Sequence, residues 1–169
     1  MTALYESWGG DKFEVTRRLC VQALVLSAIP AMAAQDASER LLPTSQNLLK
    51  DLAVALASKQ PMVVMATLYG CPFCKVVREH YLRPLSQSGA FVTQIHFLSS
   101  DALVAWDGAP STHGNVVKQL GVDVAPTVLF YGRGGRELAP RLAGSSIPDF
   151  YGAYLDDRMQ IARSAVLGK

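Results

Sequence analysis

The sequence predicts an α/β domain with a mixed central sheet and helices on both of its faces. A nearly continuous apolar run at residues 62–69 precedes a helical segment, and an alternating strand follows at residues 90–98. This strand–helix–strand order predicts parallel pairing, because parallel strands need a crossover connection. Residues 126–131 and 136–142, joined by a Gly-rich turn, predict an antiparallel hairpin, so the sheet is expected to contain strands of both directions.

The first two helices are predicted from the spacing of apolar residues and from the positions of proline. Leucines recur at helical spacing after Asn47, and Pro61 ends that helix. A second helix is predicted from about Cys71 through Tyr81. Pro84 is expected to kink or end it, because proline cannot donate the helical hydrogen bond.

The rest of the chain is predicted to hold a loop and two more helices. Residues 99–114 are expected to be mostly loop, and residues 115–120 to form a short helix closed by Gly121. Residues 147–166 predict the C-terminal helix, with one apolar face packed on the sheet. The members of that face are Phe150, Tyr151, Tyr154, Leu155 and Met159.

The composition limits the classes of protein to which the chain can belong. With 169 residues, one domain is the expected number. Half of the residues are hydrophobic and 18% are charged, which excludes an intrinsically disordered chain. The formal net charge of +2 is too small and too evenly distributed to predict a nucleic-acid partner.

Residues 1–34 are predicted to be a secretory signal peptide with an N-terminal extension. Two arginines at residues 17–18 precede an uncharged stretch, which ends in the small-x-small pattern Ala-Met-Ala at residues 31–33. Export predicts a periplasmic location. An uncleaved membrane anchor is the alternative, because the uncharged stretch reaches the lower limit of about 17 residues for a span. Residues 35–45 are then predicted to be a linker, and residues 46–169 the folded domain.

Cleavage of the leader would remove Cys20 and leave two cysteines, Cys71 and Cys74. Two cysteines separated by two residues cannot form a general disulfide framework. A metal site, a local crosslink and a redox-active pair remain open. A structural zinc site takes about four protein ligands, and the three histidines of the chain are widely separated along the sequence.

Three segments of the chain resemble the thioredoxin superfamily. The sequence YGCPFCKVV at residues 69–77 places a Cys-x-x-Cys at a strand-to-helix junction. The sequence GVDVAPTVLF at residues 121–130 is similar to the segment that carries the cis-proline of this family. Residues 132–144, GRGGRELAPRLAG, resemble its last hairpin and the glycine before the final helix. The resemblance covers roughly residues 46–166.

The resemblance implies a thioredoxin-like three-layer fold and a thiol–disulfide oxidoreductase. Cys71 would be the attacking nucleophile and Cys74 the resolving cysteine, with a cis peptide bond at Pro126. Ala125, through its backbone, and Thr127 would bind substrate. The resemblance implies no cofactor and no metal.

The partners that the resemblance implies are protein thiols or disulfides and a membrane-bound electron donor, with the protein acting as a monomer. A reductive role is favoured over an oxidising one. The alternative function is a copper carrier of the same fold, or a non-catalytic binding module.

One position departs from the family pattern. Thioredoxin-like proteins often keep a buried acid six residues before the first cysteine, where this chain has Met65. Lys75 and Arg78, on the helix that follows the cysteines, are expected to be solvated, and the alternative is that they tune the thiolate.

Overall fold

The computed structural model describes residues 37–145 and 148–168, apart from the side chains of residues 148 and 149. The predicted signal peptide therefore lies outside the described residues. The helices are α1 (Leu48–Ala57), α2 (Pro72–Val77), α3 (Arg83–Gln87), α4 (His113–Gln119) and α5 (Pro148–Leu167). The strands are β1 (Met62–Thr67), β2 (Phe91–His96), β3 (Ala102–Val104), β4 (Pro110–Thr112), β5 (Thr127–Gly132), β6 (Arg136–Glu137) and β7 (Leu142–Ala143). None of the helices in these residues is both long enough and apolar enough to cross a membrane.

The main sheet is mixed, as the sequence predicts. Its strand order is β2-β1-β5-β6, and β7 also pairs with β5. The strands β1 and β2 are parallel, with Thr67 opposite His96. The strand β5 runs antiparallel to β1, with Ala66 opposite Thr127, and antiparallel to β6 and β7. The predicted hairpin is therefore present, and its second strand is divided into β6 and β7.

Both faces of β1 are buried, each in a separate apolar cluster. Val63 and Met65 point to the side covered by α2 and α5, whereas Val64 and Ala66 point to the side covered by α1 and α4. This division follows from the two-residue period of a strand. Helices on both faces complete the predicted three-layer arrangement.

The helix after the cysteines is longer than predicted and is interrupted by a wide turn. A π-helical turn, Arg78–Leu82, joins α2 to α3, and the N–H of Arg83 donates to the carbonyl of Arg78. Pro84 lies at the start of α3. Because proline lacks an N–H and its ring clashes with the preceding turn, the wide turn lets the helix continue past Pro84 instead of ending there.

Residues 102–112, predicted to be mostly loop, form an antiparallel hairpin of β3 and β4. Trp106, which lies in the turn between β3 and β4, packs against Tyr131 of β5 with ring centroids 4.4 Å apart. Leu103 is almost completely buried. Strands of three residues are too short to show an alternating pattern, which explains why this prediction was wrong.

Residues 37–45, predicted to be part of a linker, are packed against the domain. A 3₁₀ turn, Ala37–Leu41, is followed by backbone pairing with β2, in which Gln94 N donates to Pro43 O at 2.9 Å and Ser45 N donates to Gln94 O at 3.0 Å. Ser38 and Glu39 are buried. The polar composition of this segment was misleading, because its polar groups meet polar partners inside the protein.

The C-terminal helix α5 is present, but two of its five predicted core residues are exposed. Tyr151, Leu155 and Met159 are buried, at an i, i+4, i+8 spacing. Phe150 is 60% exposed and Tyr154 is 45% exposed. Both lie one position before a buried residue, and the buried stripe is narrower than the sequence suggested.

Candidate active site

The two cysteines lie at the junction between β1 and α2. Gly70 precedes them with a φ of 70°, a left-handed conformation that favours glycine. Cys71 caps the N-terminus of α2, and Pro72 occupies the first helical turn, where its missing N–H costs no helical hydrogen bond. The sulfur atoms of Cys71 and Cys74 are joined in a disulfide.

The environment of the two sulfur atoms is asymmetric. Cys71 is partly exposed, and its Sγ accepts a hydrogen bond from the Cys74 backbone N–H at 3.1 Å. Cys74 is fully buried among apolar residues. The free N–H groups and the dipole at the start of a helix stabilise a thiolate at the exposed position. This geometry allows an incoming group to reach Cys71 first, and the assignment of attack to Cys71 stays a prediction.

The predicted substrate loop lies beside the cysteines. Ala125 is partly buried, and both it and Cys71 pack against the same apolar cluster. The Ala125–Pro126 peptide bond is cis. Thr127 is buried at the start of β5, and its hydroxyl donates to the Val124 carbonyl at 2.7 Å. The hydrogen of that hydroxyl is therefore already engaged within the loop.

Exposed apolar side chains adjoin these residues in the chain, and sequence analysis did not identify them. Phe73, between the two cysteines, is 62% exposed, and Tyr69, two residues before Cys71, is 44% exposed. Val124, next to Ala125, is 50% exposed. Exposed apolar groups around a reactive pair are typical of surfaces that contact other proteins.

The position where the family often keeps a buried acid is occupied in this chain by Met65. Met65 is fully buried, and it belongs to the same apolar cluster as Cys74 and Val77. This position of β1 therefore contributes no ionisable group next to Cys74. A thiol in apolar surroundings loses its proton less readily.

A family model described as a thioredoxin-like domain matches residues 48–158 of the chain. The chain belongs to this thioredoxin-like family. The match includes both cysteines, the cis-proline loop and most of α5. No sequence among the curated proteins matches the chain.

Several solved structures are similar to the thioredoxin-like domain. A thioredoxin-fold protein from Helicobacter pylori is 12% identical with a TM-score of 0.48, covering 79% of this chain and 94% of its own. Mitochondrial thioredoxin 3 from Saccharomyces cerevisiae, in its oxidised form, is 17% identical with a TM-score of 0.46, covering 73% and 98% respectively. Thioredoxin f2 from Chlamydomonas reinhardtii is 18% identical with a TM-score of 0.44, covering 68% and 96%.

A thioredoxin-like fold with a disulfide-bonded Cys-x-x-Cys supports thiol–disulfide oxidoreductase chemistry for this domain. Within the residues that the structure describes, there is no group of three or more His, Cys, Asp or Glu side chains that could hold a metal ion.

Arg78 is the most important site residue that the sequence analysis placed wrongly. Lys75 is exposed, as expected, but Arg78 is fully buried. Its guanidinium donates to four side chains, at distances between 2.7 and 3.1 Å. The acceptors are Gln94 Oε1, Ser38 Oγ, Glu39 Oε2 and Thr67 Oγ1. Three partners precede or follow Arg78 by 16 residues or more, so no local sequence pattern reveals this network.

A pair of buried histidines borders the cysteine loop of the thioredoxin-like domain. His96 stacks on Tyr69 with ring centroids 4.2 Å apart, and its backbone N–H donates to His113 Nδ1 at 3.3 Å. The Nδ1 atom of His96 is buried without a hydrogen-bond partner among the described residues. Burial, together with the nearby His113 and Arg78, lowers the pKa of His96 to about 4. Burial also lowers the pKa of His113.

The stability of the domain is expected to fall in mild acid because of His96. Between about pH 6.5 and pH 4, the unfolded chain binds a proton at this position and the folded chain does not. The free energy of unfolding should therefore decrease as the pH falls through this window, by at most about 3 kcal/mol from this group. Urea unfolding at a series of pH values measures the slope.

His96→Phe keeps a ring against Tyr69 but removes the titrating group, so its unfolding free energy should change less between pH 6.5 and pH 4 than that of the parent. His80→Phe removes an exposed histidine and is the matched control. Parallel pH profiles for the parent and His96→Phe would contradict this assignment.

Proposed function

We propose that the protein is an exported thiol–disulfide oxidoreductase that exchanges disulfides with protein substrates through Cys71 and Cys74. It works in the periplasm as a monomer, in the reductive direction, and receives electrons from a membrane-bound donor. The observation that carries the proposal is the disulfide between a partly exposed cysteine at a helix N-terminus and a buried cysteine one turn later.

The reaction follows from this arrangement. In the reduced protein, the Cys71 thiolate attacks a substrate disulfide, and one substrate sulfur leaves as a thiolate. Cys71 and the other substrate sulfur then form a mixed disulfide. Cys74 loses its proton and attacks the Cys71 sulfur, which restores the Cys71–Cys74 bond and releases the second substrate thiol. The substrate disulfide is reduced and the two cysteines are oxidised.

Protein substrates are supported by the surroundings of Cys71. Tyr69, Phe73 and Val124 give the site exposed apolar side chains, and Ala125, next to Val124 in the chain, is partly exposed. Export is supported by the basic and apolar pattern of residues 1–34. A membrane-bound electron donor would be needed to keep the pair reduced in an oxidising compartment.

Reduction of insulin by dithiothreitol, followed as turbidity, tests the proposed function. The protein should accelerate the reaction catalytically, with many turnovers for each molecule. A copper carrier or a binding module of the same fold should show little turnover, and that result would overturn the proposal. Subcellular fractionation, with the N-terminus of the mature protein determined, separates a cleaved periplasmic protein from an anchored one.

The reduction potential of the Cys71–Cys74 pair is expected to be intermediate, at about −250 to −180 mV. A more stabilised thiolate gives a more oxidising protein, and few groups stabilise this one. The residue before Cys74 is Phe73, which donates no hydrogen bond, and the hydroxyl of Thr127 donates to the Val124 carbonyl instead of to sulfur. Equilibration with glutathione buffers measures the potential. A value above about −140 mV would indicate a dedicated oxidase and contradict the reductive role.

A further inference from the structure

A buried cation lies one helical turn beyond the resolving cysteine. The backbone N–H of Arg78 donates to the carbonyl of Cys74, so the two residues are four positions apart on one continuous helix. Side chains at this spacing share a helix face, with their Cβ atoms about 5–6 Å apart. Both side chains are fully buried. The guanidinium of Arg78 donates to Thr67, at the end of β1 that leads to the cysteine loop, and its charge is shielded from solvent.

The cation is paired with Glu39, the one acidic side chain that is buried within residues 37–145 and 150–168. Arg78 Nη2 lies 2.7 Å from Glu39 Oε2, and the two side chains are 1% and 7% exposed. Glu39 belongs to the 3₁₀ turn before α1, so a segment distant in sequence supplies the negative charge. A carboxylate beside this cation reduces the positive potential that Cys74 meets.

Both charges act on groups that border the cysteines. Glu39 contributes to the raised pKa of Tyr69, after the larger effects of burial and Asp101. Arg78 contributes to the lowered pKa of His96, after burial and His113. The effect of Glu39 thus reaches Tyr69 in the β1–α2 loop, and the effect of Arg78 reaches His96, which stacks on Tyr69.

Among the residues whose side chains the structure describes, the other elements around Cys74 supply no buried charge. The strand β1 contributes Met65 and Val63, and β5 contributes Val128 and Phe130. The phenol of Tyr151, from α5, has a pKa raised by burial, so it stays neutral. The remaining ionisable groups nearby are the Tyr81 phenol in the same cluster, the exposed Lys75 on α2, and His96, which is neutral above its pKa of about 4.

We propose that Glu39 and Arg78 form a positioning pair for the resolving step, in which Arg78 favours the Cys74 thiolate and Glu39 limits that effect. The inference rests on the proposed function. In the resolving step a bond forms between Cys74 Sγ and Cys71 Sγ, and the bond between Cys71 Sγ and the substrate sulfur breaks. The proton of Cys74 leaves, and the substrate sulfur takes up a proton as it departs as a thiol. A positive charge beside Cys74 stabilises the anion that begins this step.

The ultraviolet absorbance of the thiolate, measured against pH in a Cys71→Ser background, tests the pair directly. Glu39→Gln removes the negative charge 2.7 Å from the cation and should move the titration midpoint of Cys74 to lower pH by about 1. Arg78→Met should move it to higher pH, because the remaining carboxylate disfavours a second anion. The double variant should return toward the parent midpoint.

Two further variants separate charge from structure. Thr67→Val removes a neutral partner of Arg78, at 2.7 Å, without changing any charge, and should leave the midpoint in place. Arg78→Lys keeps the cation with fewer hydrogen bonds and should rescue most of the Arg78→Met shift, even where Arg78→Met folds poorly. In the parent background, the rate of release of the mixed disulfide at pH 7 should fall about threefold in Arg78→Met, because a tenfold smaller thiolate fraction is partly offset by the greater nucleophilicity of a more basic thiolate.

The outcomes distinguish this inference from the proposed function. If the titration midpoint of Cys74 shifts in opposite directions in Glu39→Gln and Arg78→Met, the proposed role of the pair is supported, whether or not the parent reduces insulin. Equal midpoints in all variants, or shifts in the same direction, overturn the pair even if the parent reduces insulin. If Glu39 and Arg78 only stabilise the fold, the midpoints should be equal or should shift in the same direction. In that case the effect of each variant depends on lost stability and not on the sign of the charge that it removes.

Discussion

Cys74→Ser is expected to accumulate mixed disulfides between Cys71 and substrate proteins, whereas Cys71→Ser is expected to accumulate almost none. The partly exposed Cys71 can be reached by a substrate disulfide, and the buried Cys74 is needed to release it. Both variants should reduce insulin at no more than the uncatalysed rate, because serine is not a nucleophile of comparable strength. Non-reducing gel electrophoresis after alkylation measures the adducts.

Release of the adducts by dithiothreitol shows that they are disulfides, and the double variant Cys71→Ser/Cys74→Ser is the control for other attachments. Adducts formed by Cys71→Ser but not by Cys74→Ser would reverse the roles of the two cysteines. Full activity in either single variant would show that the reaction does not need the pair.

Arg78→Met is expected to lower the free energy of unfolding by about 3–5 kcal/mol. The substitution leaves Glu39 buried without its 2.7 Å ion partner, and it removes donors from Gln94, Ser38 and Thr67. An unpaired buried charge is costly, whereas loss of both charges is much less so. Addition of Glu39→Gln to Arg78→Met should therefore recover much of the lost stability. Urea unfolding of the oxidised proteins measures these differences.

The ion pair between Glu137 and Arg141 provides the matched control. Arg141 Nη2 lies 2.7 Å from Glu137 Oε2, the same distance as between Arg78 Nη2 and Glu39 Oε2. The side chains of Glu137 and Arg141, however, are 27% and 35% exposed. Solvent screens such a pair, and Arg141 also donates to the Leu120 carbonyl at 3.0 Å, so Arg141→Met should cost about 1–2 kcal/mol. If Arg78→Met costs no more than Arg141→Met, then Arg78 does not stabilise the domain in the way that its burial indicates.

The parts of the fold that could be predicted carry either an apolar pattern that extends over many residues or a short sequence that marks the start of an element. The apolar run of β1 is buried on both faces, and the Gly-Cys-Pro sequence after it marks where a helix begins. The alternating pattern of β2 and the amphipathic pattern of α5 extend over enough residues to show their periods. The junction that carries Cys71 and Cys74 follows from these local signals alone.

The parts that could not be predicted depend on contacts between distant residues. The short strands β3 and β4 become strands only by pairing with each other. Residues 37–45 pair with β2 and contact Arg78 in the π-helical turn. In the sequence, Arg78 is indistinguishable from a surface arginine, because its partners Glu39 and Gln94 contact it only in the folded protein. A polar residue is hidden from pattern analysis whenever its partners come from another part of the chain.

The pairing of residues 43–45 with β2 bears on how copies of this protein meet each other in solution. A strand at the border of a sheet carries open N–H and C=O groups, on which a strand from another molecule can assemble. Here Gln94, in the outermost strand, already exchanges its backbone groups with Pro43 and Ser45. Pro43 has no N–H to offer to a further strand. The segment thus protects this edge of the sheet from pairing with other molecules and aggregating, and a truncated protein that begins after residue 46 would lose that protection.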